Sequence, residues 1–458
     1  MKPNVILLTV DSLRGDHLGF MGYRKDITPN MDKLARDSSI FRQAFSTGPV
    51  TPHSFPSILT STYPFDYQGV GGIERPRVLI SEVFKKHGFI TAAFHSNPYL
   101  SAYFGYNKGW DYFEDITPPF DIPEGKIENK RFSLVIKNFL EDLLKRIAFN
   151  TFPELYFKTR YFNYRRKGPT GEFKVKANYV NQIVKDFISF AKQEGKPFFV
   201  WVHYMDLHIP YISVDKYLQN GNLSYPEMVC SFYCSASLPH YFEKKALIEF
   251  GKKYVRDAIQ LYDGLVMYVD QQIGDLMEFL QKGNLYDTSL LCLTADHGDE
   301  FFEHNGLSHT SKLYNELLHV PLVIKFPKSK IKKVLDQKIS LISLAPTICD
   351  IVEIPKASFK GNNLFEDGDA PIFHQTASGI RATNLLVQDL GQCKIACQHG
   401  KWKYIIDYGI QREELYNLDG DLKEQYDLSR FEKETIYQMR KIVQEFLKQN
   451  SPFSLLKK

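Results

Sequence analysis

Apolar runs alternate with amphipathic stretches through the first three quarters of the chain. Val5-Ile6-Leu7-Leu8-Thr9-Val10 is a continuous β-branched and aliphatic run, the pattern of a strand buried on both faces in a parallel sheet. Similar runs recur at Phe89–Phe94, Phe198–Val202, Ser289–Thr294 and Val320–Phe326. Between them, Thr28 precedes Pro29 and Asn30-Met31, a cap followed by proline at the first helical position, so a helix begins there. Val78–His87, Val180–Gln193 and Tyr254–Leu280 also read as helices, the last with Val255, Ile259, Tyr262, Val266, Val269 and Ile273 three or four apart. Strands alternating with helices predict a doubly wound α/β core with a parallel or mixed sheet.

Near residue 370 the rhythm changes. Ile372–Gln375, Leu385–Gln388, Lys394–Cys397 and Trp402–Ile406 are short apolar segments with turns between them, which predicts a small antiparallel sheet, followed by a helix over Lys433–Lys448. The expected division is 1–365 for the α/β domain and 366–458 for a smaller α+β domain. Two stretches break the core pattern, about 118–171 and 211–250, and read as insertions. The first carries a basic and aromatic run over Lys145–Lys167. It reads either as a lid or polyanion-facing surface, or as packed helices with solvated lysines and arginines.

Composition adds limits more than direction. The 458 residues are 43% hydrophobic and 24% charged, with net charge +4, which suits a globular chain and demands neither nucleic acid nor an acidic membrane as partner. The apolar run Val5–Val10 is too short for a signal-peptide core, and no stretch has transmembrane length. The six cysteines are scattered. Cys230/Cys234 and Cys393/Cys397 have metal-like spacing, but isolated buried thiols are the simpler reading. A cytoplasmic protein is expected.

The chemistry-bearing residues fall at predicted strand ends. Asp11 ends the first strand, the segment from His203 to His208 ends another, and Asp296-His297 ends a third. Open α/β sheets bind ligands beyond the carboxyl ends of their strands, so one sheet edge can gather them. Thr51 follows a Gly48-Pro49 turn and opens a short apolar helical run, where backbone N–H groups and the helix dipole favour an anion. Two carboxylates, an imidazole and that hydroxyl make a candidate divalent-metal site with an oxygen nucleophile. Ordinary capping by Thr51, and a capping Asp296 beside a structural His297, are the alternatives from these segments alone.

Motifs in order carry a resemblance. They are Val10-Asp11-Ser12-Leu13-Arg14-Gly15-Asp16-His17, Thr28-Pro29-Asn30-Met31-Asp32, Ser57-Ile58-Leu59-Thr60 with Tyr63-Pro64, and Asp206-Leu207-His208-Ile209-Pro210. Leu293-Thr294-Ala295-Asp296-His297-Gly298-Asp299-Glu300 follows, then His309, Leu313-Tyr314-Asn315-Glu316, His319-Val320-Pro321 and the late Glu414-Leu415-Tyr416-Asn417-Leu418. Together they resemble the sulfatase branch of the alkaline phosphatase superfamily. That resemblance implies an α/β core with a smaller C-terminal domain around a four-stranded sheet, and hydrolysis or transfer at sulfate, phosphate or phosphonate esters. It implies Asp11, Thr51, Asp296 and His297 as ligands of one divalent ion (Ca, Mg, Mn or Zn). It places Thr51 at the nucleophile, His208 and His309 at the substrate anion or leaving group, and Asn97 and His53 on the substrate side, although a turn-capping Asn97 and a turn His53 satisfied by backbone remain open. Asp16 and His17 are expected to hold the Asp11 loop, and His304 to be a surface residue.

The sequence departs from the sulfatase pattern at the nucleophile. Sulfatases carry Cys or Ser there, converted to formylglycine, with Pro and Arg two and four residues on; here Thr51, His53 and Phe55 occupy those positions, and Ser12 replaces a second aspartate. No formylglycine is expected. An unmodified threonine resembles the phosphodiesterase, phosphonate hydrolase and phosphoglycerol or phosphoethanolamine transferase relatives. The expected partner is a small-molecule, glycan or lipid ester; a non-catalytic binder of anionic glycans or lipids is the rival reading.

Overall fold

The structure, a computed structural model, describes residues 2–68, 72–73, 76–116, 176–209, 211, 244–329, 331–356, 358–366, 368–377 and 393–450, with side chains from 255 onward in the segment that starts at 244. The first insertion, most of the second, the Leu385–Gln388 segment, Cys230 and Cys234 lie outside the described residues.

An eight-stranded sheet forms the centre, in the order β10-β2-β9-β6-β1-β5-β3-β4. Its strands are β1 (Val5–Val10), β2 (Ser39–Phe45), β3 (Ile90–His95), β4 (Tyr112–Asp115), β5 (Phe198–Tyr204), β6 (Leu290–Ala295), β9 (His319–Lys325) and β10 (Val334–Ser340); β7 (Glu300–Phe301) and β8 (Leu307–Ser308) form a separate small hairpin. β1 runs parallel to both β5 and β6. Every residue of these three strands is buried, which is why each reads as an unbroken apolar run. The sheet is mixed because β9 is antiparallel to its neighbours β2 and β6.

The helices are α1 (Pro29–Arg36), α2 (Thr51–Thr60), α3 (Ile80–Lys86), α4 (Ala177–Gln193), α5 (Lys244–Lys282), α6 (Asn315–Leu318) and α7 (Leu344–Ile351). α5 packs on α1 and α4, whereas α2 packs on α3 and α7. α5 begins inside the stretch expected to be irregular up to residue 250, which shortens that insertion. The start of α1 is capped differently from the sequence expectation. The Thr28 side chain makes no cap bond; instead Asp270 of α5 accepts from the Asn30 and Met31 N–H groups at 3.1 and 2.7 Å. That carboxylate ties α1 to α5 while satisfying the orphan donors of the helix start.

Three strands escaped the apolar pattern. β2 mixes buried, half-buried and exposed positions, β4 has only exposed and half-buried ones, and β10 is buried only at its end, so they lack the continuous run that marks the sheet centre. The second sheet has the order β11-β12-β13-β14 and is antiparallel throughout. Its strands are β11 (Ile372–Ala377), β12 (Cys393–His399), β13 (Trp402–Asp407) and β14 (Arg412–Asn417). On one side, Phe373, Ile395 and Tyr404 pack against Ile436, Met439, Val443 and Phe446 of α8 (Lys433–Gln449), with the Phe373 and Phe446 rings stacked 3.8 Å apart. On the other side, Ile372, Ala396, Ile405 and Tyr416 meet Phe45, Leu313 and Leu318. The small sheet is thus pressed against the edge of the large one.

Cys393 and Cys397 are buried, make no disulfide and lie four residues apart on β12. Four residues along a strand span about 13 Å, so the pair cannot chelate one ion. No described helix is long and apolar enough to cross a membrane.

Candidate active site

The carboxyl ends of the central strands converge. Asp11 follows β1 and its N–H donates to Tyr204 O at 2.9 Å, which fixes it to the end of β5. Asp296 and His297 follow β6, and Asn97 lies two residues after β3. Thr51 is the first residue of α2 after an extended Val50. Two glycines permit the close approach. A Cβ on Gly48 would sit 2.3 Å from His53 Cβ, and one on Gly298 would sit 2.1 Å from the Glu316 carbonyl oxygen.

The Thr51 hydroxyl is the hub. It donates to Asp296 Oδ2 at 3.0 Å, and Asp11 Oδ2 lies at 3.4 Å. His297 Nε2 is 3.5 Å away, and Asn97 Nδ2 donates to Thr51 Oγ1 at 3.3 Å and to Asp11 Oδ2 at 3.1 Å. The Asn97 Oδ1 meanwhile accepts from Tyr99 N at 3.0 Å, so this residue caps its turn and faces the cluster at once. Ser12, in the left-handed region at φ 58°, donates its N–H to Asp296 Oδ1 at 3.2 Å and its hydroxyl to Asp11 Oδ1 at 2.8 Å. It therefore braces both carboxylates from the position where the family pattern has an aspartate.

Burial and mutual repulsion dominate the electrostatics. Burial pushes the Asp11 carboxyl up, but the imidazoles of His208, His203 and His297 outweigh it and hold the group well below its ordinary value. Burial, and then the Asp11 charge, push Asp296 up to about 7. Burial pushes His297 down to about 4. Burial also disfavours the charged form of His309, yet the Asp299 carboxylate at 2.8 Å from its Nδ1 raises it overall. Asp299 is itself held by the Tyr211 hydroxyl at 2.5 Å. The His309 ring lies 4.5 Å from that of His297 and 4.9 Å from that of His208, so this imidazole stands beside the cluster.

These donors fit a divalent cation. Two fully buried carboxylates face one hydroxyl, and among the described residues no lysine or arginine pairs with either. The separations among Asp11 Oδ2, Asp296 Oδ2, Thr51 Oγ1 and His297 Nε2 that lie within contact range are 3.0–3.5 Å. Ligands about 2.1 Å from a common ion stand roughly 3.0 Å apart at right angles and roughly 3.4 Å apart at tetrahedral angles. A bound cation would also allow both carboxylates to ionise.

Of the residues singled out in the sequence, Asp11, Thr51, Asn97, Asp296, His297, His208 and His309 come together here. His53 turns to the small sheet, with Nδ1 3.0 Å from the Thr376 hydroxyl. Arg14 pairs with Asp16 and Glu303 and donates to Asp299 O at 2.8 Å, while His17 binds Asp263 at 2.8 Å. His304 corrects the surface expectation: it stacks on Tyr314 at 3.6 Å, and its nitrogens reach Glu316 Oε1 at 2.6 Å and Glu424 O at 3.0 Å. Sequence reasoning assigned no role to Asp299 or to the His203 side chain. Their strand-end positions were the available signal, since each lies within a segment already marked.

The two-sheet α/β fold, with a buried carboxylate–hydroxyl–imidazole cluster at its strand ends, is of the alkaline phosphatase type. The family profile "Sulfatase" matches residues 3–354, and the chain belongs to the sulfatase family. It is 24% identical over 386 residues to an arylsulfatase of Clostridium perfringens, covering 77% of this chain and 76% of that protein. It is 23% identical over 425 residues to an endo-4-O-sulfatase of Bacteroides thetaiotaomicron, covering 85% and 77%. The phosphonate monoester hydrolase structure from Agrobacterium radiobacter superposes with a TM-score of 0.70 at 18% identity, covering 98% of this chain and 96% of that one. Sulfatase-like hydrolysis of sulfate- or phosphate-type esters follows from the family.

Proposed function

We propose that this protein is a metal-dependent ester hydrolase that uses the unmodified Thr51 hydroxyl as its nucleophile and acts on phosphodiester, phosphonate or related phosphoryl esters. The observation that carries the reading is the Thr51 Oγ1 at the start of α2, 3.0 Å from Asp296 Oδ2 and 3.4 Å from Asp11 Oδ2. Threonine lacks the chemistry that turns Cys or Ser into formylglycine, so the hydroxyl itself has to form the covalent bond.

Asp11, Asp296, His297 and Thr51 would hold the ion. When bound, a divalent ion lowers the hydroxyl's pKa and neutralises the ester oxyanion. Thr51 Oγ1 attacks phosphorus in line, its proton leaving toward Asp296 Oδ2. The Oγ1–P bond forms as the bond to the leaving oxygen breaks, and that oxygen takes a proton from His309, which Asp299 keeps charged. Asn97 Nδ2 and His208 hold the non-bridging oxygens. Water then attacks phosphorus and releases Thr51; an acceptor alcohol in its place would make the enzyme a transferase. The described cysteines Cys292, Cys349, Cys393 and Cys397 are buried thiols outside any disulfide, which supports a reducing, cytoplasmic setting.

Quenched turnover of an aryl phosphodiester, phosphonate and sulfate panel, followed by mass spectrometry, tests the reading. The expected result is an adduct on the Thr51 peptide with phosphorus substrates, absent in Thr51→Ala and retained in Thr51→Ser. Unchanged turnover in Thr51→Ala would refute the nucleophile. Absence of any bound metal and of any activity across the panel, before and after metal addition, would favour the binding-protein alternative.

A further inference from the structure

His203 is fully buried at the end of β5, between the Phe55 ring at 5.0 Å and the Trp201 ring at 6.3 Å. Its Nδ1 is 2.9 Å from Thr9 Oγ1. The same hydroxyl accepts from Trp201 Nε1 at 2.9 Å and lies 3.2 Å from Val202 O. A hydroxyl has one proton and two lone pairs. Trp201 can only donate and Val202 O can only accept. All three contacts are made together only if Thr9 gives its proton to Val202 O and both rings donate to Thr9. That arrangement puts a proton on Nδ1, so that in the neutral ring Nε2 is the lone pair available to a cation.

His203 Nε2 has no hydrogen-bond partner among the described residues, and Asp11 Oδ2 lies 3.5 Å from it. A lone pair facing a carboxylate oxygen is repulsive unless a proton or a metal cation sits between them. One ligand atom each from Asp11, His203 and Asp296 lie within 4.8 Å of one another, all three residues buried, and a shift of about half an ångström brings any such pair inside the roughly 4.2 Å that separates opposite ligands about 2.1 Å from a shared ion.

Resting on the metal site proposed above, we infer that His203 Nε2 is an additional ligand of that ion. The inner shell then carries two carboxylates, a hydroxyl and two imidazoles, and selects a zinc- or manganese-class ion over calcium, which prefers oxygen donors throughout. Ser12 contributes to the same shift, since the aspartate it replaces would have added oxygen character. Thr9 and Trp201 act as positioning residues that fix the ring and its tautomer.

The test reads metal binding and not turnover, so it can fail independently of the nucleophile assignment. Wild type, His203→Gln and Thr9→Val are titrated with Zn²⁺ and with Ca²⁺ alone by calorimetry, with folding checked by thermal melting. The expected result is a loss of about 10²-fold in Zn²⁺ affinity for His203→Gln, with Ca²⁺ affinity changed far less, and an intermediate Zn²⁺ loss for Thr9→Val. Histidine nitrogen NMR of the wild type should show the Nε2 resonance moving on Zn²⁺ addition while Nδ1 stays protonated. Equal Zn²⁺ affinity in folded His203→Gln, or an Nε2 that remains protonated with Zn²⁺ bound, would overturn the inference.

Discussion

Replacing Lys403 with methionine removes the only cation paired with Glu424 among the described residues. Lys403 Nζ lies 2.5 Å from Glu424 Oε1, and both side chains have zero exposure. The ammonium also donates to Asn315 Oδ1 at 2.9 Å, while Glu424 Oε2 accepts from Asn315 N at 2.6 Å. The pair therefore joins β13 of the small sheet to α6 and the segment after β14. Burial lowers Lys403 and raises Glu424 from their ordinary values, each opposed by its partner's charge. Methionine keeps the stem's volume but strands a buried carboxylate, which costs about 3–5 kcal/mol. Removing both charges in Lys403→Met/Glu424→Leu takes the partners from the Asn315 N–H and from Asn315 Oδ1, costing about 1–3 kcal/mol for each group that finds no other, while relieving two desolvation penalties. The double variant is expected within about 2 kcal/mol of wild type, so the single substitutions couple strongly. Urea unfolding of wild type, Lys403→Met and the double variant at a fixed slope measures this. A loss below about 1 kcal/mol in Lys403→Met would refute the claim that the pair is closed to solvent.

Further outcomes follow from the same contacts. His309→Gln should slow hydrolysis of esters with poor alkyl leaving groups by about 10²–10⁴-fold and aryl esters with good leaving groups much less; equal slowing of both would argue against proton donation by His309. Burial opposes charging of His304, but its hydrogen bond to Glu316 outweighs that and raises the group above its ordinary 6.5. Its contribution to stability is therefore fully present below pH 6.5 and lost as pH rises through the folded value. His304→Gln should flatten that decline in a series of denaturation midpoints; an unchanged slope would mean the pair is not charged.

The pattern of β1, β5 and β6 was legible because strands buried on both faces need apolar residues at every position. The strand-end placement of Asp11, Asp296 and His297 was legible for the same reason: the polar residue that stops such a run marks the sheet edge. The edge strands β4 and β10, and β2 beside β10, were not, since half-exposed strands dilute that signal. The reversed direction of β9 was hidden as well, because an apolar run reads the same either way.

By itself, then, the sequence determined an α/β core, a small antiparallel sheet after it, and a set of chemistry-bearing residues at the sheet's carboxyl edge, with motifs that resemble sulfatases. Only the tertiary structure decided which of those residues meet. Thr51 and Asp296 are 245 positions apart yet 3.0 Å from each other, and His53 is satisfied by Thr376, 323 positions away. Contacts of that span depend on strand order and register, which arise from packing the whole chain and leave no local trace in composition or periodicity. His203 shows the same dependence at atomic scale: only the Thr9 and Trp201 partners fix which of its nitrogens carries the proton.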